Sequence, residues 1–126
     1  MDLSFDAPGN HHFIRSISEE GIRIGDEYLT TSFLVSASEL RRDWPPQSHE
    51  ELDEGHLDTI FELQPDVVLI GTGAKQHFLP QSSVFRFYRQ NVGIEVMNTE
   101  AACRTFNVLV NEGRKVVAAL MPVRTA

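Results

Sequence analysis

The run DVVLIG, Asp66 to Gly71, limits the possible folds more than any other segment. After one acid it is continuously apolar, rich in β-branched residues, too short for a buried helix and closed by glycine, so it reads as a strand covered on both faces. Strands covered on both faces belong to sheets with helices on either side, and the flanking sequence supplies helices. Leu57, Ile60, Phe61 and Leu63 recur at helical spacing before the run. After it, Ser82 or Ser83 can cap a helix carrying Val84, Phe85, Phe87 and Tyr88, which is followed by a short strand from Ile94 to Met97. A long helix over about Glu100 to Glu112 and the strand KVVAALMPV complete the pattern. Strands joined through helices imply an α/β fold with parallel pairing and right-handed crossovers. Residues 66–71, 94–97 and 115–121 are therefore expected as central strands of one sheet.

The N-terminal half follows a different period. Residues 1–10 read as a loose lead-in. HFIRSIS alternates Phe13, Arg15 and Ile17, and GIRIG repeats the alternation at Ile22 and Ile24, which predicts a β-hairpin with one buried face. YLTTSFLVSA, Tyr28 to Ala37, reads as a third strand. The polar segment from Ser38 to Gly55, broken by Pro45 and Pro46, reads mostly as loop. With 126 residues the whole chain, 1–126, is expected to form one domain.

Composition narrows the function classes. Eleven Lys and Arg against 18 Asp and Glu leave a formal charge of −7, which opposes nucleic acid as a partner because phosphate binding rests on cationic neutralisation. One cysteine, Cys103, excludes an internal disulfide and a multi-thiolate metal site, consistent with a reducing compartment. The N-terminus lacks the pattern of a secretory signal or an organelle transit peptide, and no run of eighteen apolar residues predicts a transmembrane segment. A cytoplasmic location is expected.

Ala102, Phe106, Leu109 and Val110 form the apolar stripe of the long helix, with Glu100, Arg104, Asn107 and Asn111 on its polar side. Asn98 or Thr99 can cap its start, Glu100 and Arg104 are an i,i+4 pair, and Gly113 supplies a left-handed stop. Taken together, PDVVLIGTGAKQHFLP and GIEVMNTEAACRTFNVLVNEGRKVVAALMPV resemble a small family of unknown function that includes a mitochondrial respiratory complex I assembly factor, factor three, and an adipogenesis-associated protein. The resemblance rests on Gly71-Thr72-Gly73, Leu79-Pro80, Met97 with Thr99, Ala102-Cys103 with Thr105 and Asn107, and Glu112-Gly113-Arg114. It implies a three-layer α/β fold with a mixed central sheet, no established enzymatic activity for bacterial members, and a chaperone-like assembly role for the mitochondrial relative. That relative begins with a targeting segment that this sequence lacks, which points to a bacterial-type member.

The candidate sites start from Gly71-Thr72-Gly73-Ala74-Lys75-Gln76. The dinucleotide fingerprint fails at Gln76 and the P-loop pattern fails altogether. Two glycines after a buried strand still permit a sharp turn with outward amides, an anion-binding nest to which Lys75 and His77 add positive charge. The start of the Thr99 helix follows another strand end and is a second candidate for the same ligand. Gly71, Thr72, Gly73, Lys75, His77, Thr99, Arg104 and Asn107 are accordingly the candidate ligand-binding residues, against the simpler reading of a structural turn and a solvated helix face. Gly73 is expected at positive φ. Cys103 reads as a small hydrophobe between Ala102 and Phe106, or as a nucleophile near a helix start. His49, Asp53 and His56 would converge as a metal triad on a helix, but Gly55 and the prolines argue against a regular helix there. No catalytic residue, cofactor or metal is assigned. The preferred reading is a non-enzymatic binding or assembly module with a protein partner, and the alternative is a small-anion or small-molecule binding protein or enzyme.

Overall fold

A computed structural model describes Leu3, Ser4 and residues 11–123. The chain begins with an antiparallel sheet of β1 (Leu3–Ser4), β2 (Ile14–Ser18), β3 (Gly21–Ile24) and β4 (Glu27–Leu29), in that spatial order. The expected hairpin is β2–β3, with Ile17 opposite Ile22. Leu3 and Ser4 pair with Ile17 and Ser16, so this part of the anticipated lead-in is a strand. The remainder of residues 1–10 lies outside the described residues.

A second sheet has five strands in the order β6 (Leu40–Arg41), β5 (Phe33–Val35), β9 (Val116–Leu120), β7 (Val67–Gly71) and β8 (Gly93–Met97). β7 runs parallel to both β8 and β9, whereas β5 is antiparallel to β9 and to β6, making the sheet mixed. The three anticipated strands do share this sheet. However, β8 forms its edge, because α2 (Gln81–Arg89) carries the chain outward from β7 and α3 (Thr99–Asn111) returns it across β7 to β9.

The expected third strand, 28–37, is also divided. β4 completes the antiparallel sheet and β5 enters the mixed one. The break falls at Ser32, whose amide donates to the Gln47 side-chain oxygen at 3.1 Å and whose carbonyl accepts the Trp44 amide at 2.9 Å. The segment read as loop contributes β6, a 3-10 turn at His49–Glu51 and a buried Trp44 whose indole N–H donates to the His56 carbonyl at 3.3 Å. Here α1 (Glu54–Glu62) begins at Asp53, which accepts the His56 amide while its own amide donates to His56 Nδ1. This reciprocal cap holds Gly55 in the first helical turn, where a break was expected.

The apolar run of β7 divides by alternation. Val67 and Leu69 face a cluster with Cys103, Phe106 and Val110 of α3 and with Ile14, Ile17, Ile22 and Ile24 of the antiparallel sheet. Val68 and Ile70 face Leu57 and Ile60 of α1, Phe87 of α2 and Trp44. The fold is thus three-layered: α1 and α2, the mixed sheet, and α3 together with the antiparallel sheet. α3 is capped by Asn98, which accepts the Ala101 amide at 2.8 Å, and ends at Gly113 with φ +80°. The Gly113 and Arg114 amides return to the Val110 and Leu109 carbonyls, closing the helix as a left-handed glycine stop does. α2 has Pro80 at its cap position and no side-chain cap, so neither Ser82 nor Ser83 serves that role.

Asn107 joins the third layer together. Its side-chain oxygen accepts the Ile14 amide at 2.8 Å and its side-chain nitrogen donates to the Ile14 carbonyl at 2.9 Å. Asn107→Ala should therefore leave both backbone groups of a buried strand residue without this partner and lower stability by about 1–3 kcal/mol in urea unfolding. An unchanged midpoint would mean that water replaces the amide at no cost.

Candidate functional site

The GTG turn leaves the C-terminal end of β7 and meets the start of α3. A side chain at Gly71 would place Cβ 2.9 Å from Thr99 Cα, so glycine is required for this approach. Gly73 has φ +95°, the conformation expected for this turn. The Gly73 amide donates to the Thr99 hydroxyl oxygen at 2.8 Å, and the Thr99 amide donates to the Gly73 carbonyl at 2.8 Å. The Thr99 hydroxyl proton goes to the Met121 carbonyl at 2.7 Å, and the Met121 amide returns to the Gly71 carbonyl at 3.0 Å. Thr99 is wholly buried, and its hydroxyl thus links the ends of β7 and β9 to the first turn of α3.

Thr72 closes the next part of the loop. Its amide donates to the Met97 carbonyl at 2.9 Å, its hydroxyl donates to the Lys75 carbonyl at 2.7 Å, and the hydroxyl oxygen accepts the His77 amide at 3.1 Å. The amides of Thr72, Gly73 and His77 are therefore all taken up within the protein, as are two first-turn donors of α3, Thr99 by the Gly73 carbonyl and Ala101 by the Asn98 cap.

Around the loop lies a concavity of about 320 Å³, lined by Thr72, Gly73, Lys75 and His77 and, across from them, by Ser48, which precedes the 3-10 turn, and by His49 and Glu50 within it. The His77 ring stacks on His49, with centroids 3.9 Å apart and planes 7° from parallel. Four of the candidate ligand residues thus come together. Gly71 and Thr99 lie behind them as the loop's support. Arg104 is exposed on α3 and paired with Glu100 at 2.5 Å, and Asn107 is engaged on Ile14. His49 was not anticipated as a loop neighbour, since stacking across more than twenty residues leaves no periodic signal. Asp53 and His56 cap α1 while His49 sits on the other side of that start, so the three do not share a helix face.

Cys103 is fully buried against the mixed sheet, and burial pushes its thiol well above the usual cysteine range. Such a thiol carries negligible thiolate at neutral pH, which removes the nucleophilicity that a helix start would otherwise favour. Exposed aromatic side chains are the other surface feature that pattern reading did not separate. α2 buries Phe87, which stacks on Phe61, but leaves Phe85 and Tyr88 56% and 57% exposed, and Phe78 before it is 86% exposed. Helical phase relative to Phe87 was the available signal, because Phe85 and Tyr88 fall on a different face.

With this geometry in view, known proteins supply context. A family described as protein of unknown function (DUF498/DUF598) matches residues 14–121. The human NADH dehydrogenase [ubiquinone] 1 alpha subcomplex assembly factor 3 is 35% identical over 114 residues, covering 87% of this chain and 60% of the relative. A Francisella tularensis protein named 13 kDa major membrane protein is 36% identical over 67 residues, covering 53% of this chain and 54% of the relative. The chain thus spans about half to three fifths of these curated relatives. A crystal structure from Bordetella parapertussis superposes with a TM-score of 0.84 at 30% identity, covering 92% of this chain and 99% of that one. Among the described residues, no helix is long and apolar enough to cross a membrane.

Thr99→Val keeps the volume but removes the hydroxyl, leaving the Gly73 N–H and the Met121 carbonyl unpaired in a buried place. It should destabilise by about 2–4 kcal/mol in denaturant unfolding, whereas Thr99→Ser should retain most of the stability. Gly73→Val should also lower the melting midpoint, because valine resists positive φ and its Cβ would lie 3.3 Å from the Pro122 carbonyl oxygen. Equal stability of the Thr99→Val and Thr99→Ser variants would contradict the hydroxyl's role as a tie.

Proposed function

As the chain belongs to the family of proteins of unknown function (DUF498/DUF598), we propose that it is a non-enzymatic binding or assembly module, chaperone-like toward a protein complex. The observation that carries this reading is the set of aromatic side chains left in solvent at Phe78, Phe85 and Tyr88 while the cores on both sides of the sheet are closed. Exposed aromatic surface is disfavoured in water and is enriched where proteins dock. The assembly factor among the relatives supports the same class of role. A reducing location such as the cytoplasm fits a lone, buried thiol.

In an extract of the native cell, the chain should fractionate in an assembly larger than its own 14.2 kDa. Combining Phe85→Ser with Tyr88→Ser should return it to the monomer position without a loss of folding. Elution of the unaltered chain at its own mass at cellular concentration would argue against an assembly role.

The concavity at the loop favours a second reading, a weak small-anion site in which Lys75 supplies the charge and Thr72, Gly73 and His77 shape the wall. The satisfied amides leave fewer donors than an open nest, and both Glu50 in the wall and the net charge of −7 oppose an anion, so millimolar affinity, on the order of 4 kcal/mol, is expected. Phosphate or pyrophosphate should shift the amides of Ala74 and Lys75 saturably in an NMR titration, and Lys75→Ala should weaken the effect. Absence of saturable shifts would eliminate this site and leave the loop as structural.

A further inference from the structure

Resting on the reading of the chain as a binding module, we infer that the α2 face bearing Phe85, Tyr88 and Arg89 is its docking surface and that the occupant is an acidic, apolar-anchored segment of a partner protein. α2 has three functionally distinct sides. Phe87 enters the core against Phe61. Arg86 is drawn to α1, where it pairs with Glu54 at 2.5 Å and with Asp58, and its guanidinium lies over the Phe61 ring. Phe85 and Tyr88, at i,i+3, occupy the remaining side together with Arg89, one turn on from Phe85, and all three are exposed.

Charge selects the occupant. The chain carries 18 acids, yet none falls between Val67 and Ile94, where Lys75, Arg86 and Arg89 supply positive charge. Arg86 is neutralised within the fold. Among the described residues Lys75 and Arg89 form no ion pair, so Arg89 remains an uncompensated cation beside two exposed aromatic rings. A complementary segment places apolar side chains on Phe85 and Tyr88 and a carboxylate near Arg89, while a basic segment is repelled there. An anionic bilayer fits less well, because membrane attachment by charge takes a cluster of about four to eight Lys or Arg, whereas this face offers Arg89 alone, enough for one carboxylate.

The test places the photo-crosslinking residue p-benzoylphenylalanine in the full chain at Phe85 or Tyr88, with Tyr28 and Val108 as exposed control positions, and irradiates the native cell. Protein adducts are expected at positions 85 and 88. Mass spectrometry should place the crosslink in a net-acidic partner segment containing apolar residues. A synthetic peptide of that segment should bind the purified chain about tenfold more weakly after Arg89→Glu, with an unchanged thermal midpoint for the variant. Adducts confined to Tyr28 or Val108 would overturn the docking surface while leaving the binding-module reading intact. Protein adducts at none of the four positions would sink both. Lipid adducts alone at 85 and 88, a basic crosslinked segment, or peptide binding indifferent to Arg89→Glu would each overturn the proposed occupant.

Discussion

The two hydrogen bonds at the Thr99 hydroxyl organise the part of the molecule that carries its most distinctive sequence. One oxygen accepts from Gly73 and donates to Met121, so the ends of two parallel strands and the beginning of α3 become a single junction. Gly71 makes the junction possible by lacking the Cβ that would collide with Thr99. Asn98 takes over the capping of α3, which frees Thr99 to point inward. Residues that resemble a ligand-binding turn are thereby given structural work: of the loop's side chains, Thr72 is also bound within the fold, whereas Lys75 faces solvent.

A junction of this kind separates the two candidate surfaces. On one side, the turn and the 3-10 segment meet at stacked histidines and leave a modest concavity. Beyond Pro80, α2 is anchored by Phe87 in the core and by Arg86 on α1, and neither anchor uses the outward aromatic pair. Rigid placement matters for a docking face, since side chains held on an anchored helix lose little further freedom when a partner covers them. The aromatic face is accordingly a stronger basis for function than a loop whose donors are largely satisfied within the protein.

Periodicity made much of this architecture legible. Alternation in β2 and β3, the unbroken apolar run of β7 and the stripe on α3 each reflect a neighbour covering a defined face, and all three environments are found. Edge position is different. β8 was indistinguishable from a central strand because α2 on one face shields Ile94 even though one flank has no neighbouring strand. The split at Ser32 was hidden for a related reason: it depends on Gln47 and Trp44, residues whose reach across the fold leaves no local period. At the candidate site, the glycine turn was readable from residue type, but the inward direction of its amides arises from Thr99 and Met97, which approach only through tertiary packing.

Native-state hydrogen exchange of the Gly73 amide distinguishes a closed structural junction at the GTG turn from an open one. If the Thr99 hydroxyl holds that amide as described, Gly73 should exchange only through openings approaching the free energy of global unfolding, alongside the amides of β7. Exchange of Gly73 at the rate of an unprotected loop amide, in a chain whose β7 amides remain protected, would mean that the Thr99 hydroxyl does not hold it and would restore the turn as an open nest.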